Sequence, residues 1–438
     1  MSIKVAKRST SGCPPVGAVT GVLLFVLVLL LAPTGAQAVE MAGSSTTYLQ
    51  SRESLNGSNL LPLYEYLDFT VQDLGSESLS VHFGGWLGYD LQDESFGKNK
   101  KKGSDLQYGY VSYRTKEHNA VVNLGRVMVF EGVAAERVDG IYARTDVPGG
   151  LGISAFGGSP VETGIDAPGN NTIYGGRVSH QSANLYTVGL SYLKEDKNSD
   201  TFRRESALDL WLKPVDKIEL MGGSSFNFQT VGWMEHSYYL MLGPFSKLRL
   251  NTEATWIDYE DYFAGATTSV FSMAPGGPID PKETVSILGE EISYAINANW
   301  AVSVDYKNYG YDIAGTANYY GAKATYRLPK SYSAGGSVHK MDGETDRLKY
   351  DMYRLYASKR INKTDISLDL LEVKYQEPIN GVDKSYSATI AAGYEMTEKL
   401  KLGADLEYSK NPDFDKDVRI FLKLNYRFDT EMGTRKGV

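Results

Sequence analysis

From Tyr66 onward, apolar and polar side chains alternate with a period of two almost to the end of the chain. In the last such segment Val418, Ile420, Leu422, Leu424, Tyr426 and Phe428 share one face, and Arg419, Phe421, Lys423, Asn425 and Arg427 share the other. The segment before it sets Leu400, Leu402, Ala404, Leu406 and Tyr408 against Lys401, Gly403, Asp405, Glu407 and Ser409. A third sets Tyr386, Ala388, Ile390, Ala392 and Tyr394 against Ser387, Thr389, Ala391, Gly393 and Glu395. This is the period of a β-strand, whose successive side chains point to opposite faces. Runs of about ten residues exceed the ordinary soluble strand of roughly five or six. They match the roughly 9–11 residues with which a tilted strand crosses a bilayer. The alternation slips near Val111, Arg144 and Tyr353.

The breaks between strands are of two kinds. Short ones fall at Pro148-Gly149, Pro214-Val215-Asp216, Gly243-Pro244-Phe245, Asn297-Ala298-Asn299, Pro329-Lys330, Ile361-Asn362-Lys363 and Thr397-Glu398. Between them lie longer polar stretches at 92–104, 157–171, 194–201, 262–282, 341–348, 376–383 and 411–416. Tight turns at one end and longer loops at the other fit a membrane barrel better than a sandwich or a propeller. About 21 strands follow from Tyr66, and a single-chain barrel with both termini on one side needs an even number. The missing strand is expected at 46–52, followed by a loop at Asn56-Gly57-Ser58-Asn59. The expectation is therefore an all-β, antiparallel, up-and-down transmembrane β-barrel of about 22 strands, with a range of about 20–24.

The N-terminus supplies the compartment. Lys4, Lys7 and Arg8 precede an unbroken apolar run from Val22 to Ala32, and Ala36-Gln37-Ala38 gives a small-x-small cleavage pattern. This reads as a secretory signal peptide over residues 1–38, with the barrel over 39–428 and a short periplasmic tail over 429–438. The apolar run is shorter than the roughly 20 residues a spanning helix needs. Cys13, the only cysteine, precedes that run, so the mature chain offers no disulfide, thiolate metal site or cysteine nucleophile. Removing the three basic residues leaves 42 Lys+Arg against 53 Asp+Glu, a mature charge of about −11. That balance argues against a nucleic-acid partner, which favours basic patches. The 45 Gly, 31 Tyr and only 15 Pro accompany a mean hydropathy below zero. Half of every barrel strand faces water, so the average conceals an apolar outer face. Tyr320 and Tyr326, Tyr386 and Tyr394, and Tyr408 and Tyr426 stand near the ends of outward faces, as the aromatic rings of interfacial girdles do.

With these features the sequence resembles the general outer-membrane porin superfamily of Gram-negative bacteria. The ending Tyr426-Arg427-Phe428 resembles the aromatic-terminated signal read by the barrel-assembly machinery, although here Asp429 to Val438 follow it. More loosely, Leu124-Gly125-Arg126, Asp139-Gly140-Ile141-Tyr142 and Ala155-Phe156-Gly157-Gly158-Ser159-Pro160 look like a segment of many porin-like barrels. The resemblance implies an outer-membrane location and passive diffusion of small polar or ionic solutes. It assigns no substrate.

A wet barrel acts through its lumen charges and its constriction. The lumen side of the clean strands is expected to carry Asp209, Arg249, Glu253, Asp305, Lys307, Lys323, Arg327, Asp365, Asp369, Asp405, Glu407, Arg419, Lys423 and Arg427. They line the wall as mutual pairs, with Asp405 beside Lys423, or form opposed arcs that focus a transverse field. The weakly charged stretch at 262–282, with Phe263, Phe271 and Met273, is the candidate constriction loop, and 157–171 is the runner-up. Lys98, Lys100, Lys101 and Lys102 are a solvated run, or a contact for lipopolysaccharide or an acidic partner. Asp258, Glu260 and Asp261 have carboxylates but not the spacing of a calcium loop.

The five histidines, His82, His118, His180, His236 and His339, are scattered, and no Gly-x-Ser-x-Gly, His-Glu-x-x-His or P-loop occurs. An enzyme is not expected, and no cofactor. Two other readings stand beside the channel. One is a sheath around a partner such as a multihaem cytochrome, whose haem would be the partner's because no Cys-x-x-Cys-His occurs. The other is a hydrophobic-compound transporter with a hatch built from residues 39–62, including Leu60-Leu61-Pro62-Leu63-Tyr64. Expected partners are outer-membrane lipid and lipopolysaccharide, the assembly machinery, and a homo-trimer or the cytochrome. About 22 strands from a chain this short leave no room for a folded plug, so what fills a wide lumen is the open question.

Overall fold

The computed structural model describes residues 39–432, apart from 54–57, 75, 93–99, 116, 118, 162–170, 183, 263–281, 330 and 413. The expected signal peptide, the candidate constriction residues Phe263, Phe271 and Met273, His118 and Lys98 lie outside the described residues.

One antiparallel sheet accounts for the fold. Its strands are β1 (Val39–Glu53), β2 (Asn59–Leu60), β3 (Pro62–Gln72), β4 (Leu79–Asp90), β5 (Lys102–Arg114), β6 (Ala120–Glu131), β7 (Ala134–Val147) and β8 (Leu151–Pro160). Then follow β9 (Thr172–Ser182), β10 (Tyr186–Lys197), β11 (Asp200–Val215), β12 (Ile218–Asn227), β13 (Gly232–Phe245), β14 (Leu248–Asp258), β15 (Thr284–Ala295) and β16 (Trp300–Tyr311). The last are β17 (Gly315–Leu328), β18 (Tyr332–Gly343), β19 (Lys349–Ile361), β20 (Thr364–Ile379), β21 (Val382–Glu395), β22 (Leu400–Asn411) and β23 (Phe414–Met432). The two-residue β2 pairs only with Arg52 and Glu53, so it is a lead-in to β3. That leaves 22 wall strands of the 23.

The barrel is closed. β1 pairs with β3 from Glu40 opposite Gln72 to Leu49 opposite Leu63, and with β23 from Val39 opposite Met432 to Ser51 opposite Ile420. The first strand that parity demanded is therefore present and runs seven residues further toward the N-terminus than its expected start at Thr46. Residues 39–53 are wall, so they do not form the expected hatch, and Leu63 and Tyr64 lie in β3 rather than a loop. β23 continues four residues past Phe428, because Asp429 to Met432 complete the seam with β1.

Three expected loops prove to be strand ends. The stretches 194–201 and 376–383 close on Asn198-Ser199 and Asn380-Gly381, each with positive φ at both residues (51° and 74°, 51° and 79°). That is the geometry of the two-residue turns whose twist matches paired strands. Asn411 lies opposite Phe414, so 411–416 is equally tight. Backbone pairing does not depend on side-chain polarity, and these polar segments extend the ladder instead of leaving it.

The outer face is apolar and open. Leu406, Ile420, Leu422 and Leu424 are each about two-fifths exposed, and Leu190, Leu288, Val304 and Leu355 more than half. No water-soluble surface carries a continuous apolar band of this size, so this face meets lipid. Aromatic pairs border it, Trp300 with Tyr326 (centroids 5.0 Å apart) near one rim and Tyr386 with Tyr408 (5.7 Å) near the other. Two carboxylates interrupt the band. Glu290, between Leu288 and Ile292, accepts a hydrogen bond from Thr252 Oγ1 at 2.9 Å. Glu65 accepts from Ser45 and Thr47 hydroxyls at 2.5 and 2.6 Å.

Candidate functional site

The fully buried apolar cluster lies off centre, against one side of the wall. It comprises Val127, Val129, Ala134, Val138, Phe156, Ile173 and Leu193. Register explains it. β5 pairs with β6 only up to Gly109 opposite Arg126, and β8 pairs with β7 only up to Pro160 opposite Val138. Beyond those rows residues 127–136 have ladder partners only within their own hairpin, among the described residues. They fold inward over β8, β9 and β10. At the tip the Val133 N–H donates to Ser191 Oγ at 2.9 Å, and Ser191 is on the lumen face of β10.

Glycines permit the departure. Gly125, Gly140 and Gly158 lie side by side on β6, β7 and β8. Gly125 has φ +131°, which L side chains rarely adopt. A Cβ on Gly140 would sit 2.7 Å from the Gly158 Cα, closer than real Cβ atoms come. The inner face of the hairpin is aliphatic, so it exchanges water for Phe156, Ile173 and Leu193.

Charges tie the hairpin in place. Arg137 reaches Asp105 of β5 at 2.5 Å, and Arg126 grips both carboxylate oxygens of Asp139 at 2.6 and 2.7 Å. Arg203 of β11 bridges Glu136 of the hairpin and Glu195 of β10. Buried Glu131 accepts the Tyr142 hydroxyl at 2.5 Å, with Arg144 3.6 Å away. Removing one partner would leave the other charge uncompensated, so the set fixes position more than it adds net stability.

By register the expected lumen residues lie on the inner face, and several of them pair locally. Asp209 holds Arg177 (2.5 Å), Glu253 holds Lys307 (2.8 Å), Asp305 meets His339 (3.1 Å), Asp369 holds Arg354 (2.5 Å) and Asp365 holds Arg360 (3.2 Å). Glu407 stands opposite Arg419, which also pairs with Asp417 at 2.6 Å. The expected Asp405–Lys423 pairing shifts by two, because the hairpin at 411–414 is tighter than a loop. Asp405 faces Phe421, Lys423 faces Gly403, and the Lys423 ammonium lies 5.3 Å from the Tyr48 ring centroid. Arg249, Lys323, Arg327 and Arg427 complete the inner face by register. Asp258 caps the short helix Tyr259–Tyr262, its Oδ1 accepting from the Glu260 and Asp261 N–H groups at 2.9 and 3.2 Å. Among the described residues no cluster of His, Cys, Asp and Glu could hold a metal ion.

Sequence reasoning missed the hairpin and its ties Glu131, Glu136, Arg137 and Arg203. The available signal was Val127-Met128-Val129-Phe130, apolar on both faces where a wall strand alternates. A round barrel of 22 strands, spaced about 4.8 Å and tilted about 40°, measures roughly 44 Å across its backbone. One added sheet layer takes about 10 Å. The hairpin therefore narrows the lumen without closing it.

No family model and no curated protein matches the sequence. Solved structures do match. A ferric enterobactin receptor (PfeA) mutant from Pseudomonas aeruginosa is 10% identical over 90% of this chain and 81% of that one, with a TM-score of 0.56. The siderophore receptor PirA from the same organism is 13% identical over 88% and 80%, with a TM-score of 0.52. At such identity the likeness concerns fold alone, and the chain has the closed β-barrel fold of Gram-negative outer-membrane proteins.

Proposed function

We propose that the protein is an outer-membrane channel through which small polar or ionic solutes diffuse. The observation that carries this reading is the contrast between two faces of one closed sheet, apolar without and charge-paired within, around a lumen that one hairpin only partly fills. Paired charges keep the wall wet while limiting its net field. The sheath reading loses ground because the hairpin takes space that an enclosed protein would need. The hatch reading loses its hatch to β1. At the rim, Lys102 lies 6.0 Å over the Tyr89 ring, where a lipopolysaccharide phosphate would meet it. With the termini in the periplasm, this rim faces outward.

The test is conductance of the purified protein in planar lipid bilayers bathed in potassium chloride. Discrete, lasting current steps are expected. A barrel that inserts, keeps its folded gel mobility and passes no current overturns the channel reading.

A further inference from the structure

Two cations face each other on the outer side of the wall. On β10, Leu190 faces lipid, and Lys194 lies on the same face four residues nearer the Asn198-Ser199 turn. On β11, Arg204 stands opposite Lys194, as Leu208 stands opposite Leu190. Aromatic residues close the row on both sides. Tyr174 of β9 is opposite Lys194, its ring centroid 6.0 Å from the ammonium. The Phe228 N–H donates to the Arg204 carbonyl, and the Phe228 ring centroid lies 5.0 Å from the guanidinium carbon. Asp196 holds Lys194 at 2.9 Å. Among the described residues Arg204 has no ion pair, so the three charges sum to one positive.

Like charges directly opposite in a sheet destabilise the pairing. Here the ladder is already irregular, because its register shifts between Glu195 and Asp196, just beyond Lys194. On their inner face the same two strands hold the inward hairpin, Leu193 by packing and Arg203 through Glu136. An anion between Lys194 and Arg204 removes the repulsion and adds charge-assisted hydrogen bonds. Depth identifies the anion. The apolar side chains of Val178, Leu190 and Leu208 lie below the pair, and Tyr174, Tyr192 and Phe228 surround it, as interfacial rings do. The Asn198-Ser199 turn is at the end of the barrel opposite the termini, so with the termini in the periplasm this depth is the outer leaflet. A lipid phosphate held there lays its acyl chains over the apolar face beneath, whereas free phosphate gains nothing from that face. We propose that Lys194 and Arg204 bind the phosphate of an outer-leaflet glycolipid of the lipid A type, and that the bound phosphate locks the tip of β10 to β11. The site is apart from Lys102 on β5, and it does not depend on the channel reading.

The test is hydrogen exchange of the purified protein in phosphatidylcholine nanodiscs, with and without diphosphoryl lipid A. Peptides covering 192–206 should exchange at least about tenfold more slowly with lipid A. The slowing should vanish in Arg204→Gln and in Lys194→Gln. Lys374→Gln is the control, because Lys374 of β20 also stands outward opposite a lysine, Lys384 of β21. It should leave the slowing at 192–206 intact. Gel mobility confirms that each variant is folded. No slowing in the unaltered protein overturns the site. Slowing that survives either glutamine variant at the pair, or that Lys374→Gln also removes, overturns it equally. Equal slowing by lipid A stripped of its phosphates overturns the phosphate as the bound group. Equal slowing by inorganic phosphate at the same concentration overturns the lipid as its source.

Discussion

Replacing Leu193 by alanine tests whether the hairpin at 127–137 is a docked element rather than wall. Leu193 is fully buried on the lumen face of β10, in the cluster with Val127, Val129 and Val138. Truncating a buried leucine to alanine costs about 2–5 kcal/mol, more where the cavity cannot collapse. Here one side of the cavity is the hairpin itself, which is free to settle, so the lower part of the range applies. A loss of about 2–3 kcal/mol lowers the ratio of docked to undocked hairpin about 30- to 140-fold. Hydrogen exchange reads that ratio, because amides such as Val133, bonded to Ser191 Oγ, exchange when the hairpin lifts. Peptides covering 127–138 should exchange about 30- to 140-fold faster in Leu193→Ala, while peptides from β20 to β23 stay as slow as before. Leu190 on the same strand points to lipid and is 62% exposed, so Leu190→Ala is the control and should leave the hairpin unchanged. Equal acceleration in both variants, or none in Leu193→Ala, would refute the docking geometry.

Three further outcomes follow from the same geometry. Residues 39–438 contain no cysteine, so Gly132→Cys with Ser191→Cys should form an intramolecular disulfide on mild oxidation. An ideal Cβ on Gly132 lies 2.5 Å from the Ser191 Cβ, and a shift of about 1 Å reaches the usual range; thiols that remain open to maleimide labelling in the folded barrel would place the tip elsewhere. Glu290→Leu should raise the urea midpoint by about 1–2 kcal/mol equivalent, since a carboxylate on the lipid face is a cost. A lower midpoint would show that Glu290 does not face lipid. Glu344, in the turn between β18 and β19, accepts from the Thr316 N–H and hydroxyl at 3.1 and 3.0 Å, which holds its carboxyl below the ordinary glutamate range. The contact is fully present above the unfolded carboxyl pKa and is lost as pH falls through the lower folded one. Carbon-detected titration should give Glu344 a midpoint below that of free glutamate, and Thr316→Val, which keeps the N–H and removes the hydroxyl, should raise it part of the way; an unchanged midpoint in that variant would remove the hydroxyl as a cause.

The wall was legible because a lipid-facing strand has little choice of sequence. Val418 to Phe428 alternate so strictly that face, direction and length follow, and parity then required a strand before Tyr66 that alternation alone does not reveal. Above the membrane that constraint lapses. Residues 376–383 and 411–416 are mostly polar, so they read as loops although, past a shift in register, their backbones pair again at Ile379 and Asn411. The hairpin failed for the converse reason. Val127 to Phe130 are apolar on both faces, which fits a strand between lipid and core as well as it fits a lumen element. The slips near Val111 and Arg144 flank it, since β5 and β7 serve the wall along one part of their length and the hairpin along another. The slip near Tyr353 had no such cause, and β19 pairs without a break along β18 and β20.

The inner wall also suggests where discrimination can reside. Arg354 with Asp369, Arg360 with Asp365 and Glu395, and Lys307 with Glu253 cancel one another over a few ångströms. Beyond about a Debye length of 8–10 Å little of each pair's field reaches a solute in the middle of the lumen. Along such pairs the wall sorts ions weakly by charge. Selection then depends on a surface that solutes touch. The side chains beside the hairpin form such a surface. Met128 and Phe130 lie on the hairpin face turned away from the buried cluster, and Phe130 is 70% exposed. Arg137 on that same face links through Asp105 to the register position of Trp86. If the hairpin lifts, this boundary goes with it, so Leu193→Ala should change the single-channel current, and an unchanged current would place the hairpin outside the conducting path.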